Sequence, residues 1–112
     1  MSPFEIVTGT PVILYLQAPK EKMWGILLSL LPNGIVIRGI DLTTFDDWMR
    51  QEAHGAESLV GLTTIFYPIN RVERMERDET VGPAVSYSER FAHAVGRTVQ
   101  QALGFAASDP ES

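Results

Sequence analysis

The chain has 112 residues, 45% of them hydrophobic, which suffices for one small globular core and leaves room for little else. Fourteen acidic residues against nine basic ones give a net charge of −5, and a chain of that sign lacks the broad positive footprint that binding to DNA or RNA draws on. A local basic patch stays open, but the absence of cysteine excludes disulfides, thiolate catalysis and cysteine-ligated zinc or iron–sulfur centres at once.

The first ten residues, MSPFEIVTGT, place no basic residue ahead of an apolar core, and the longest apolar run is far shorter than the roughly 20 residues of a membrane span. A soluble cytoplasmic protein with no membrane partner is expected. Residues 1–10 read as a lead-in, with Phe4 and Ile6 available to pack on a sheet, and Thr8-Gly9-Thr10-Pro11 breaks the chain. From Pro11 to Asp41, three apolar runs are cut by two turn signals, Ala18-Pro19-Lys20 and Leu31-Pro32-Asn33-Gly34, which predicts a three-stranded antiparallel meander. Val12, Leu14 and Leu16 alternate with Ile13, Tyr15 and Gln17, and Ile35 and Ile37 with Val36 and Arg38, as strand geometry requires. In the middle run Ile26, Leu27, Leu28, Leu30 and Leu31 leave only Ser29 polar, so that strand needs cover on both faces. Asn33-Gly34 offers residues tolerant of positive φ for a tight hairpin, with Pro32 fixing its entry. Gly25 suits a bulge or a close backbone approach, either of which lets a long strand curl.

Thr44 and Asp47 then have capping-box spacing, and acids in the first turn suit the helix dipole, so a short helix is expected from about 45 to 53, closed by His54-Gly55. It presents Phe45, Trp48 and Met49 on one face. Phe45 and Trp48 can serve as a protein-interaction surface or as cover for the meander; the meander's need for cover favours the second. Residues 41–60 hold five acids against Arg50 alone, but their spacing is not that of an EF-hand loop, and helix capping with a solvated face is the better reading than a metal site. His54 and His93 stand far apart, and neither belongs to an HxxxH or HExxH arrangement. With no GxSxG, P-loop or GxGxxG either, there is no catalytic residue, metal ligand or cofactor to name, and the expectation is a non-enzyme.

Leu59 to Ile69 returns to strand character, densest from Thr63 to Tyr67, and Pro68 should end it. Ile69-Asn70-Arg71 reads as a tight turn and Val72 to Arg77 as a fifth, charged edge strand. Arg71, Arg74 and Arg77 would make a basic stripe, but Glu73, Glu76, Asp78 and Glu79 interleave with it. Residues 79–86, carrying Gly82-Pro83, look like a linker. The period then changes: Phe91, Val95, Val99 and Leu103 recur every four residues, which predicts one amphipathic C-terminal helix over 87–104. Ser86 and Glu89 have capping-box spacing, Gly104 closes the far end, and Gly96 hints at close approach to another backbone. So short a helix is marginal alone. Its stripe must bury against the sheet or a neighbouring subunit, which makes Phe91, Val95 and Val99 candidate protein-interaction residues beside Phe45 and Trp48. Residues 105–112 are expected to be a disordered tail.

Five short strands, a hairpin between the second and third, and a last pair joined by a one-turn link after a proline resemble the Sm-like (LSm) small β-barrel over about residues 11–78. GILLSLLPNGIVI, residues 25–37, is similar to the family's first motif, and IFYPINRV, residues 65–72, to the short final strands of its second. The resemblance implies a mainly β fold, a five-stranded Sm-like or SH3-like barrel spanning 1–78; a helical insertion at about 43–60 and the C-terminal helix, packed on the barrel or on a neighbour, depart from the family's pattern. The resemblance also implies ring assembly, the fourth strand of one subunit pairing with the fifth of the next, and binding of uridine- or adenine-rich RNA. Tyr67, Asn70 and Arg71 would then lie around the inner rim. The chain departs from the pattern where the family's acidic residue falls near Leu31 and where the Lys-His pair of the bacterial RNA chaperone falls at Phe66-Tyr67. The charge balance favours a scaffold or regulator that self-associates and binds protein; RNA binding is the alternative, and DNA is not expected.

Overall fold

The computed structural model describes residues 5–55 and 61–105; Phe4, Glu57, Leu59, Val60 and the tail from 106 onward lie outside them. The meander predicted by alternation is present as β1 (Pro11–Leu16), β2 (Glu21–Leu31) and β3 (Gly34–Asp41). With β4 (Thr63–Pro68) and β5 (Val72–Arg77) it makes one antiparallel sheet in the order β4-β3-β2-β1-β5. β4 starts at Thr63, where the dense β-branched run begins, while Leu62 turns into the interior. Pro68 ends it, and a single 3-10 turn over Ile69–Arg71 leads directly into β5.

β2 receives the cover on both faces that its composition demands. Met23 and Leu27 enter a core with Val12, Leu14 and Leu16 of β1, Ile35 and Ile37 of β3 and Tyr67 of β4, against which Val72 and Met75 of β5 also pack. Strands from both ends of the order share this core, so the sheet curls around it. Closure is incomplete: β4 and β5 form no ladder with each other among the described residues, and a barrel is not completed. The intervening residues Trp24 and Ile26 point the other way into a second core, roofed by helices.

Two glycines let the strands come this close. A Cβ on Gly25 would stand 2.7 Å from the Arg38 carbonyl oxygen and 2.9 Å from the Cα of Gly39, its partner across the ladder, so close approach is what this residue serves. The register shift between β2 and β3 falls further on, between Leu27 and Ser29. The hairpin loop is Pro32-Asn33, and neither Asn33 nor Gly34 adopts the positive φ expected of it. Gly34 is needed for space instead, because a Cβ there would run into the Tyr67 carbonyl oxygen and the Phe66 ring.

The roof consists of α1 (Phe45–His54), α2 (Tyr87–Val95) and α3 (Val99–Ala102). The expected Thr44–Asp47 capping box does not form. Asp41 takes over the capping, its carboxylate accepting from the Thr43 N–H at 2.9 Å and hydroxyl at 2.6 Å at the 3-10 turn Leu42–Thr44 that feeds α1. Gly55, at φ +66°, closes α1 as predicted. The single C-terminal helix is in fact two. Gly96 sits at φ +86° and ends α2, and Thr98 starts α3 with a complete capping box to Gln101. A Cβ on Gly96 would meet nothing within 4 Å, so the glycine supplies a left-handed backbone and not a close approach. Phe91 and Val99 are nonetheless fully buried on either side of the break, because both belong to the second core. Trp24, Phe45, Trp48 and Phe91 fill this second core at 0–2% exposure, and buried side chains of this size contribute about 1.5–3 kcal/mol each.

The segment read as a linker is tied down. Val81 and Ala84 bridge across Gly82-Pro83, the Thr80 hydroxyl accepts from the Ser86 N–H and donates to Glu89, and the Ser86 hydroxyl caps α2 by accepting from the Glu89 N–H. Among the described residues no helix is long and apolar enough to cross a membrane.

Candidate functional site

Of the residues singled out as a protein-interaction surface, Phe45, Trp48, Phe91 and Val99 are buried and Val95 is partly buried. Phe45 packs edge-on to Trp24 with centroids 5.0 Å apart, and Trp48 stacks on Phe91 at 4.6 Å. Val99 is buried in the same cluster, with Val95 packed against it. Their apolar side chains share this core with Trp24 and Ile26 of β2.

The three residues of the RNA reading come together at the link between β4 and β5, where Arg71 and Tyr67 are engaged within the chain and Asn70 is exposed. Arg71 Nε donates to the Gln17 carbonyl at 2.8 Å, and its Nη2 donates to the Pro19 carbonyl and the Glu21 carboxylate, both at 3.1 Å. Its guanidinium also lies 5.8 Å from the Tyr67 ring centroid. Arg71 is a clamp on the β1–β2 turn. Tyr67 is 9% exposed; its burial, with the Glu21 charge nearby, raises the phenol above the ordinary value of 10.0, against a smaller opposing effect of Arg71. Asn70 is exposed, and its carbonyl accepts from the Gln17 side chain. Along β5, Arg74 pairs with Glu76 at 3.1 Å and Arg77 with Glu79 at 3.7 Å. The basic stripe is cancelled in space as it is in sequence.

The acids of α1 have arginine partners. Asp46 pairs with Arg90 at 3.0 Å and Glu52 with Arg97 at 2.9 Å, joining α1 to α2 and to the link that follows it, while Asp47 pairs with Arg50. The Asp41 carboxyl is held below its ordinary 3.8 by the Thr43 hydroxyl and N–H. Among the described residues no three His, Asp or Glu side chains converge as a metal site. An open cleft of about 760 Å³ runs between the β1–β2 turn, β5 and Tyr87, but Lys20, Lys22 and Arg74 share its walls with Glu21, Asp41 and Glu73. Such a mixture selects neither an anion nor a cation.

One surface stands out by what it lacks. There is no charged side chain between Met23 and Ile37 or between Gly61 and Asn70, and the fold brings these two stretches together as the distal half of β2, the near half of β3 and the Ile65–Pro68 half of β4, bounded by Arg38, which pairs with Thr64 and donates to its hydroxyl at 3.3 Å. At that end Leu30, Leu31, Phe66 and Ile69 are 54%, 44%, 45% and 52% exposed. β4 is also an end of the sheet, with no strand paired to its outer edge among the described residues. The absence of charge in both stretches was visible in the sequence, and only the β3–β4 pairing shows that they coincide.

No family model matches the chain, and neither curated proteins nor solved structures give a match. The Sm-like resemblance therefore rests on the strand pattern and the two quoted segments.

Proposed function

We propose that this chain is a non-enzymatic small-barrel module, on the Sm-like or SH3-like plan, that works in the cytoplasm as a scaffold or regulator through protein–protein contacts and self-assembly. The observation that carries it is the charge-free end, where an exposed apolar patch adjoins a strand edge that is unpaired among the described residues, on a chain of net charge −5. Exposed apolar patches and open edges both mark association surfaces. The strand order, and a first core drawn from all five strands, support the barrel plan. An RNA role has less behind it, since Arg71 is committed to the β1–β2 turn and Arg74 and Arg77 are paired.

Light scattering over a micromolar concentration range tests the proposal. A mass above the 12.4 kDa of one chain, lost in Leu31→Glu, is expected; a strict monomer at every concentration overturns self-assembly. A filter-binding titration with uridine-rich and adenine-rich oligonucleotides covers the RNA reading. Submicromolar, salt-sensitive binding that is lost in Asn70→Ala, a change that spares the Arg71 clamp, would replace the proposal with an RNA-binding one.

A further inference from the structure

The two edges of the sheet differ in kind. β5, VERMER, alternates paired acids and bases, the usual protection of an edge against random pairing. β4, TTIFYP, has no charge at all. The Ile69 N–H donates to the Asn33 carbonyl at 2.9 Å. This puts Ile69, and with it Tyr67, Ile65 and Thr63, at positions bonded to β3, because antiparallel ladders alternate. The backbone groups of Thr64, Phe66 and Pro68 then face outward. Pro68 suits such a position, having no N–H to leave unpaired.

Resting on the reading of this end as an association surface, we propose that the partner of β4 is the β4 of a second copy, paired antiparallel about a two-fold axis through Ile65. In that register Thr64 and Phe66 of one copy exchange both hydrogen bonds with Phe66 and Thr64 of the other, which makes four, and Ile65 faces Ile65. Shifting the axis to Phe66 would set Pro68 opposite Thr64 and leave carbonyls without donors. Phe66, 45% exposed in one chain, packs beside the partner's Thr64, an aromatic–β-branched pair of the kind that stabilises ladders. Like charge points to the same occupant. Two copies of net charge −5 repel wherever acids face acids, and this is the end at which they meet without any.

The chain contains no cysteine, so a single introduced thiol reports the register. Residues directly opposite across a non-hydrogen-bonded antiparallel pair have Cβ atoms about 4.5–5.5 Å apart. Ile65→Cys should therefore oxidise in near-quantitative yield to a covalent dimer under mild oxidant, and Glu76→Cys on β5 should not. Phe66→Lys, checked for an unchanged circular dichroism spectrum and melting temperature, should halve the solution mass. If the chain self-associates but Ile65→Cys does not cross-link, or if cross-linking requires one cysteine on β4 and another on β5, the β4–β4 mode is wrong while self-assembly stands. If no mass above one chain is seen at any concentration, both fall.

Discussion

The indole N–H of Trp24, on β2, donates to the Asp78 carboxylate at 2.9 Å, 54 positions away in the sequence. The same carboxylate accepts from the Tyr87 N–H at 2.9 Å, the Ser88 N–H at 2.8 Å and the Ser88 hydroxyl at 2.7 Å. One side chain thus joins the helix-facing side of the sheet to the first turn of α2, where an anion also suits the helix dipole.

Removing that carboxylate leaves the fully buried Trp24 N–H without a partner and exposes the orphan donors of α2. Asp78→Ala should cost about 2–4 kcal/mol, since hydrogen bonds to a charged group contribute about 1.5–3 kcal/mol and a buried unpaired donor adds its desolvation cost. Asp78→Asn keeps an acceptor and should lose less. Urea denaturation reads both, as a lower midpoint with an unchanged slope. An Asp78→Ala midpoint equal to that of the parent would mean that the four bonds contribute nothing net.

Gly96 gives a prediction of sign. In a continuous helix Gly96→Ala would stabilise by up to about 1 kcal/mol. At φ +86° an alanine is strained, and the substitution should destabilise by about 1–2 kcal/mol, with Gly96→Asn the milder change. The direction of the shift in melting temperature decides between one helix and two.

Phe91 and Val99 roof the second core at 0% and 1% exposure. Phe91→Ala should therefore cost about 3–5 kcal/mol, and Val99→Asp more than Val95→Asp, because Val95 is only partly buried. Truncation after Gly82 uncovers Trp24, Phe45 and Trp48 together and should cause aggregation. An unchanged melting temperature and mass in the truncated chain would show that the roof is dispensable.

Tyr67 links stability to alkaline pH. Its proton is held more tightly in the folded chain, so the folded value lies above the unfolded one. The stabilisation is therefore complete below the unfolded value, near pH 10, and is lost as pH rises through the folded value. Tyr67→Phe should flatten the fall in stability above about pH 9. Equal slopes for parent and variant in a set of melts across that range would refute the linkage.

Local chemistry was legible in the sequence, and long-range chemistry was not. Alternation in PVILYL, the one-turn link INR and the helix FDDWMRQEAH all show in short windows, because period and turn residues act over a few positions. The C-terminal break was masked because the four-residue spacing of Val95 and Val99 continues across it, although Thr98 and Gln101 carried a capping signal. The glycine of the hairpin was visible but its reason was not: Gly34 answers to Tyr67 and Phe66, residues of another strand. Asp78 as the anchor of Trp24, Arg71 as a clamp on the β1–β2 turn, and the charge-free end all depend on pairings that no local window contains.

Consecutive residues of β2 belong to different cores: Met23 and Leu27 to one, Trp24 and Ile26 to the other. A slip of this strand by one position would exchange the two sets, turning both cores out at once. Neither core can therefore melt while the other persists, because the strand that fills one is the floor of the other. The chain should lose its structure in a single transition, with the β2 amides among the last to exchange with deuterated solvent and their protection matching the global stability. Its helices, although they touch only one side of the sheet, would then hold the opposite side in register as well.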